Sequence, residues 1–211
     1  MQHSTHSVDV KAPTPKEQLL EILAEKSVCR GTFTLASGAQ SDFYVDAKLT
    51  TFDPLAALLV GSVGWELVKQ TARARSLYVD SIGGLTMGAD WMALSIGIAA
   101  QLENSQAALR VFSVRKSAKE HGRLKRIEGN FSPGDSVVVV DDVITTGGST
   151  IQAIDAIEEA GGRIAFVIAL VDRQEGGRRN IEKRGHKVVP IFTREDLVNA
   201  HGPRRSDIAI A

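Results

Sequence analysis

The sequence predicts an α/β domain: a mainly parallel sheet flanked by helices, with a small N-terminal hood. Two observations carry this. From about residue 77 onward, short runs rich in Val, Ile and Leu alternate with helical segments, the pattern of a parallel sheet covered on both faces. Before that rhythm begins, two strand-like runs at 32–36 and 40–46 are joined through Ser37-Gly38. They lie too close together for a crossover helix and suggest a hairpin beside the main domain.

Taken in order, residues 1–12 read as a disordered tail, without the apolar run of a secretion signal. A single domain is expected over 13–211, with the hood at about 14–50. Thr14, Pro15 and Glu17 form a capping box with proline at the first helical position, and Leu19, Leu20 and Leu23 form the buried stripe behind it. Asp53-Pro54 opens a second helix through Leu55, Leu58, Leu59, Val63 and Leu67. Strands are expected at 77–82, 109–114, 137–140, 164–171 and 187–191, and helices at 89–102, 149–160 and 177–184. Gly161-Gly162 and Gly185 stop the last two helices.

Composition narrows the function. Hydrophobic residues are 43% and charged residues 24%, with 25 basic and 25 acidic side chains. No global field draws in nucleic acid or a membrane surface, so charge-based function must be local. The apolar run 164–171 is far too short to span a bilayer. The lone cysteine, Cys29, forms no intramolecular disulfide and reads as a core residue near the end of the first helix. The expected compartment is cytoplasmic. No histidine pair has metal-ligand spacing, so no protein-held metal is expected.

Chemistry concentrates at the carboxyl ends of the strands, where open sheets of this class bind ligands. The run 137–140 is four valines, and a loop is expected to open at Asp141. Asp141-Asp142-Val143-Ile144-Thr145-Thr146-Gly147-Gly148-Ser149-Thr150 then leads into a helix. Glycines let backbone amides turn inward around an anion, and the helix N-terminus adds partial positive charge. The Gly-Lys-Ser/Thr ending of a triphosphate loop is missing. Two carboxylates beside a phosphate site need something between them and the anion. A ribose does this, its hydroxyls hydrogen-bonded to Asp141 and Asp142 and its 5-phosphate in the loop.

A second basic segment, 115–126, holds six basic residues and one histidine against a single acid, Glu120. Flanked by Gly122 and Gly129, it reads as a mobile cationic lid suited to a departing diphosphate. It carries no aromatic residue for stacking bases. Gly83-Gly84-Leu85-Thr86-Met87-Gly88-Ala89-Asp90 follows another strand, and its amides could hold a diphosphate oxygen.

The acidic pair after four apolar residues resembles the PRPP-binding motif of type I phosphoribosyltransferases. Arg115-Lys116-x-x-Lys119-x-His121-Gly122 resembles the flexible loop of orotate phosphoribosyltransferases within that family. The stretch 33–46 is similar to that family's hood, and Asp172-Arg173-Gln174-Glu175-Gly176-Gly177 to its orotate-carboxylate segment. The resemblance implies a type I phosphoribosyltransferase-like fold and transfer of phosphoribose from PRPP to orotate, giving orotidine 5-phosphate and diphosphate. It implies catalytic roles for Lys119, His121, Asp141 and Asp142. PRPP would be held by these four with Arg115, Lys116 and Val143 to Ser149, and orotate by Thr145, Arg173, Tyr44 and Val45. It also implies magnesium held mainly through substrate, and a homodimer in which Lys119 and His121 reach the neighbouring site. Met87, Ala36 and Ala39 stand where many members carry basic residues, and Trp91 where a proline or small residue is common. The alternatives are an enzyme for another base, against which Arg173 and the hood speak, and a PRPP-sensing regulator binding nucleic acid, against which zero net charge speaks.

Overall fold

The structure is a computed structural model. It describes residues 12–34, 40–103, 109–117 and 126–200, with only the backbone described for 30–34 and 40–42. Helix α1 (Pro15–Lys26) starts on the expected capping box, Thr14 and Glu17 each bonding the other's backbone N–H. Strands β1 (Val28–Thr34) and β2 (Gln40–Val45) pair antiparallel as a separate two-stranded sheet. Cys29 therefore lies in the hairpin, paired with Tyr44, and is half-buried rather than a core residue at the helix end. The sequence gives no sign of helix α2 (Lys48–Thr51). It precedes α3 (Pro54–Ala74), which Asp53 caps by accepting from the Ala56 N–H.

The main sheet contains β3 (Ser81–Leu85), β4 (Arg110–Val114), β5 (Ile127–Gly129), β6 (Ser136–Ile144), β7 (Arg163–Asp172) and β8 (Val188–Thr193), in the order β5-β4-β3-β6-β7-β8. All neighbours are parallel except edge strand β5, which returns antiparallel along β4. Strand order reverses between β3 and β6, the switch point at which such sheets leave a crevice. Helices α4 (Ala89–Glu103), α5 (Gly148–Glu159), α6 (Gly177–Glu182) and α7 (Arg194–Ala200) complete the chain.

Side chains alternate across β6 and β7 as a sheet covered on both faces requires. Val138, Val140, Phe166 and Ile168 join Leu19, Leu23, Val60, Met92 and Ile96 from α1, α3 and α4. Val137, Val139, Val167 and Ala169 meet Ile154 and Ile157 of α5 and Ile181 of α6 on the other face.

Two strand boundaries differ from expectation, for reasons outside the local sequence. The strand expected at 77–82 is β3 at Ser81–Leu85, so Gly83 and Gly84 are strand residues rather than part of an anion loop. A Cβ on Gly84 would lie 2.1 Å from the Val140 carbonyl oxygen and 2.6 Å from the Ala89 Cβ. Close packing demands glycine there. The strand expected to end at Val140 continues to Ile144, because β7 goes on pairing through Asp141↔Ala169, Val143↔Val171 and Ile144↔Asp172.

Gly84→Ala is therefore expected to destabilise the protein by about 1–3 kcal/mol, the usual cost of overpacking a close contact. Thermal unfolding should register a drop of several degrees, at roughly 2–4 °C per kcal/mol for a chain of this size. An unchanged melting temperature would show that β3 and β6 are not held this close.

Candidate active site

The acidic pair sits on the last turns of the β6 ladder, not in a loop, and so its side chains point to opposite faces. Asp141 faces α5, is buried, and accepts a hydrogen bond from the Thr150 hydroxyl. Asp142 faces the α4 side and lies against Gly88, where any Cβ would sit 2.5 Å from its Oδ1. Burial pushes the Asp141 carboxyl up to about 7, with the Thr150 bond opposing and the Asp142 charge adding to the rise. Burial also raises Asp142, against the pull of the Val143 N–H and the charge of Lys48.

The expected phosphate loop narrows to Thr145–Gly147, closed by Gly147 in the left-handed region at φ 85° as the N-cap of α5. No side chain caps that helix. Its first amides therefore face the loop with their partial positive charge. Gly177 braces the loop from behind, its N–H donating to the Thr145 carbonyl at 2.9 Å. A Cβ on Gly177 would fall 2.4 Å from that oxygen. Val143 and Ile144 belong to the strand; the Val143 N–H donates to Asp142 Oδ1 and the Ile144 side chain is core. Of the expected PRPP contacts in this run, Thr145 to Ser149 thus form the loop and helix start.

Arg115 and Lys116 leave the end of β4, and Gln152 of α5 donates to the Lys116 carbonyl at 3.1 Å. Arg115 lies 3.5 Å from Glu128. With Thr86, Met87, Ser113 and Ser117 these residues line a cleft of about 490 Å³. Lys119 and His121 lie outside the described residues, as do Ala36 and Ala39.

Arg173 is almost fully buried at the end of β7, and its Nη2 donates to the Phe43 carbonyl at 3.0 Å and to Glu175 Oε1 at 2.6 Å. It thereby ties the hood to the main sheet. Of the two hood residues expected at orotate, Tyr44 is exposed while the Val45 side chain is in the core, so Val45 can offer only backbone.

Two further charged residues stand beside these segments: Lys48, which no motif revealed, and Asp90, the last residue of the 83–90 segment. Lys48 on α2 pairs with Asp46 at 3.4 Å, and the charges of Asp46 and Asp142 hold its pKa up against burial. The one signal for it is the Asp46-x-Lys48 spacing. Asp90 accepts from the Thr86 hydroxyl at 2.7 Å and the Ser113 hydroxyl, joining the turn after β3 to β4. Among the described residues no group of three or more His, Cys, Asp or Glu could hold a metal ion.

The phosphoribosyl transferase domain family matches residues 94–197. The chain is 39% identical to the orotate phosphoribosyltransferase of Aquifex aeolicus, over 87% of this chain and 97% of that one. It is 44% identical to the Streptomyces coelicolor orotate phosphoribosyltransferase, over 78% and 86%. The chain belongs to the orotate phosphoribosyltransferases. Among solved members, the Mycobacterium tuberculosis orotate phosphoribosyltransferase in complex with PRPP matches with a TM-score of 0.70 and 31% identity, over 88% of this chain and 99% of that one. An adenine phosphoribosyltransferase from Leishmania tarentolae, 13% identical with a TM-score of 0.58, shares the fold alone.

For a member of this family the raised Asp141 has a stability consequence. A folded pKa near 7 against an ordinary carboxylate value of 3.8 means that the folded state binds more protons in between. Stability of the ligand-free protein therefore falls as pH rises through about 4 to 7. Asp141→Asn should reduce that fall, leaving the share due to Asp142, and should be more stable than wild type at pH 8 by about 1 kcal/mol or more. Parallel unfolding curves for both proteins from pH 4 to 8 would show the acid ionises freely.

Proposed function

We propose that this protein transfers the 5-phosphoribosyl group of PRPP to orotate, giving orotidine 5-phosphate and diphosphate. The observation that carries this is the end of β6, where two carboxylates flank a strand that runs directly into an uncapped, glycine-closed helix N-terminus. That arrangement suits a sugar phosphate: Asp142 takes ribose hydroxyls from the cleft side, Asp141 from the loop side, and Thr145 to Ser149 receive the 5-phosphate. The bond from ribose C1 to the diphosphate oxygen breaks, a ring nitrogen of orotate bonds to C1, and the proton that nitrogen carried is released to the diphosphate or to water. Arg115, Lys116, Lys119 and His121 meet the charge that grows on the leaving diphosphate. Arg173, with Thr145, Tyr44 and the Val45 backbone, receives orotate under the hood, a guanidinium fork matching a carboxylate.

Magnesium is part of this proposal. It would take hard oxygen ligands from the diphosphate and ribose, with Asp142 nearby, and would neutralise the leaving group. Turnover of orotate with PRPP should vanish with a chelator and return with magnesium. A protein that turns over a purine or uracil instead would refute the assignment of the base.

The same reading makes the protein a homodimer working in the cytoplasm. Leu55 and Leu58 on α3, with Trp91, Leu94 and Ile98 on α4, are exposed large apolar side chains. The Phe52 and Trp91 rings meet at a tilt of 56° with centroids 4.7 Å apart, so the runs form one surface of the kind that marks an interface. A second copy is the occupant this reading assigns, since the family resemblance implies a homodimer whose lid residues are shared between subunits. For the compartment, no helix among the described residues is long and apolar enough to cross a membrane, and the only cysteine forms no internal disulfide.

Replacing Arg173 with Ala should weaken orotate far more than PRPP, a charge-assisted bond being worth about 1.5–3 kcal/mol. Equal weakening of both substrates would leave Arg173 as a brace for Phe43 and nothing more. The shared lid has its own test. A Lys119→Ala chain and an Asp141→Asn, Asp142→Asn chain should each be nearly inactive. Mixed, they should regain up to roughly a quarter of wild-type activity through random pairing. Subunit exchange without recovery would show that each lid serves its own site.

A further inference from the structure

We propose that Arg126 is a further binding residue for the diphosphate group, paired with Arg115 as a two-guanidinium clamp beside the cleft that Arg115 lines. The inference rests on the phosphoribosyl-transfer reading above and extends it to a residue on the returning strand of the β4–β5 hairpin.

The register places it. Val114 pairs with Ile127 and Ser113 with Glu128, and the Arg115 N–H donates to the Arg126 carbonyl at 2.8 Å. Arg126 therefore stands directly opposite Arg115. Opposed residues of an antiparallel pair share a face, as do residues two apart on one strand. Val114 and Ile127 face the α5 core. Ser113, Arg115, Arg126 and Glu128 thus project to the other face, where Ser113 reaches Asp90 and where Ser113, Arg115 and Glu128 line the cleft.

Two features of that placement call for an anion. Like charges directly opposite each other on a hairpin oppose pairing. Glu128, the one acid of the four, lies against Arg115. Further, Arg126 Nε and Nη2 are sealed from water and find no hydrogen-bond partner among the described residues. Buried donors on a permanent charge are costly when left open, and an arriving oxyanion closes them. A guanidinium presents its donors in a planar fork that fits two oxygens of one phosphoryl group. The other wall of the cleft is the Thr86-Met87 turn, which supplies no cation. A diphosphate with its charge spread over two phosphoryl groups suits two guanidiniums side by side.

The test uses the full-length protein and its Arg126→Gln and Arg126→Lys variants, titrated calorimetrically with inorganic diphosphate and assayed for KM of PRPP and of orotate. Arg126→Gln should weaken diphosphate and raise KM for PRPP by on the order of tenfold, the loss of one charge-assisted bond. KM for orotate should stay unchanged. The ligand-free variant should melt no lower than wild type, since it sheds an open buried charge, and Arg126→Lys should restore part of the affinity. Diphosphate affinity equal to wild type in Arg126→Gln would overturn the clamp. So would a lowered melting temperature with both substrates weakened alike, the mark of a structural arginine. Diphosphate binding that depends on Arg126 in a protein unable to turn over orotate would support the clamp and refute the reading of the reaction.

Discussion

Strand β6 is covered on both faces, by α4 on one side and α5 on the other, and its run of valines from Val137 to Val140 is removed from water. Polar chemistry on such a strand can appear only at its carboxyl end, where the covering helices begin or stop. The sheet order then decides what gathers there. With β3 on one side of β6 and β7 on the other, the turn after β3, the acidic pair, the Thr145–Gly147 loop and Arg173 all emerge at one edge. Contact is tight enough that two of these segments need glycine where they approach: Gly88 against the Asp142 carboxylate and Gly177 against the Thr145 carbonyl. The site is a consequence of how closely three parallel strands end together.

Much of this was legible in the chain because the signals are local. The capping box at Thr14, the alternation of strand and helix, and the Gly147-Gly148 start of α5 each depend on residues within a turn of one another. What was not legible depended on partners distant in sequence. Asp is disfavoured in strands, so Asp141 read as the start of a loop; pairing with Ala169 keeps it in the ladder. Gly83-Gly84 read as a turn, as glycine pairs usually do, but the Val140 carbonyl is what excludes a side chain at Gly84. Edge strand β5, at Ile127–Gly129, is too short to show a period. Arg173 was legible as a cation beyond a strand end, yet nothing in its neighbours showed that it would be buried against the Phe43 carbonyl.

That last contact changes how the hood is understood. The hairpin pairs with no strand of the main sheet. It is held instead at Phe43, whose carbonyl takes the Arg173 guanidinium and whose ring lies 5.1 Å from the Arg194 guanidinium of α7. The group proposed to read the orotate carboxylate is thus the same group that positions the cover over it. On the proposed role, an anion bound there would compete with the bonds to Phe43 and Glu175, and base recognition and hood position would be coupled through one side chain.

The electrostatic layout follows the same logic of separation. At this edge of a chain of zero net charge, Asp141 and Asp142 end the central strand β6 while Arg115 and Lys116 follow β4 and Arg173 follows β7. Asp141 and Asp142 are both held toward the neutral form by burial, which limits their repulsion of a phosphorylated ligand before ribose hydroxyls arrive. Lys48 tempers Asp142 from the hood side, while Arg115 and Lys116 stand across the cleft at the end of β4. On the proposed reaction, the cations that a departing diphosphate needs lie across the cleft from the acidic pair, and the sheet order sets the layout: ribose at β6, diphosphate toward β4, base toward β7.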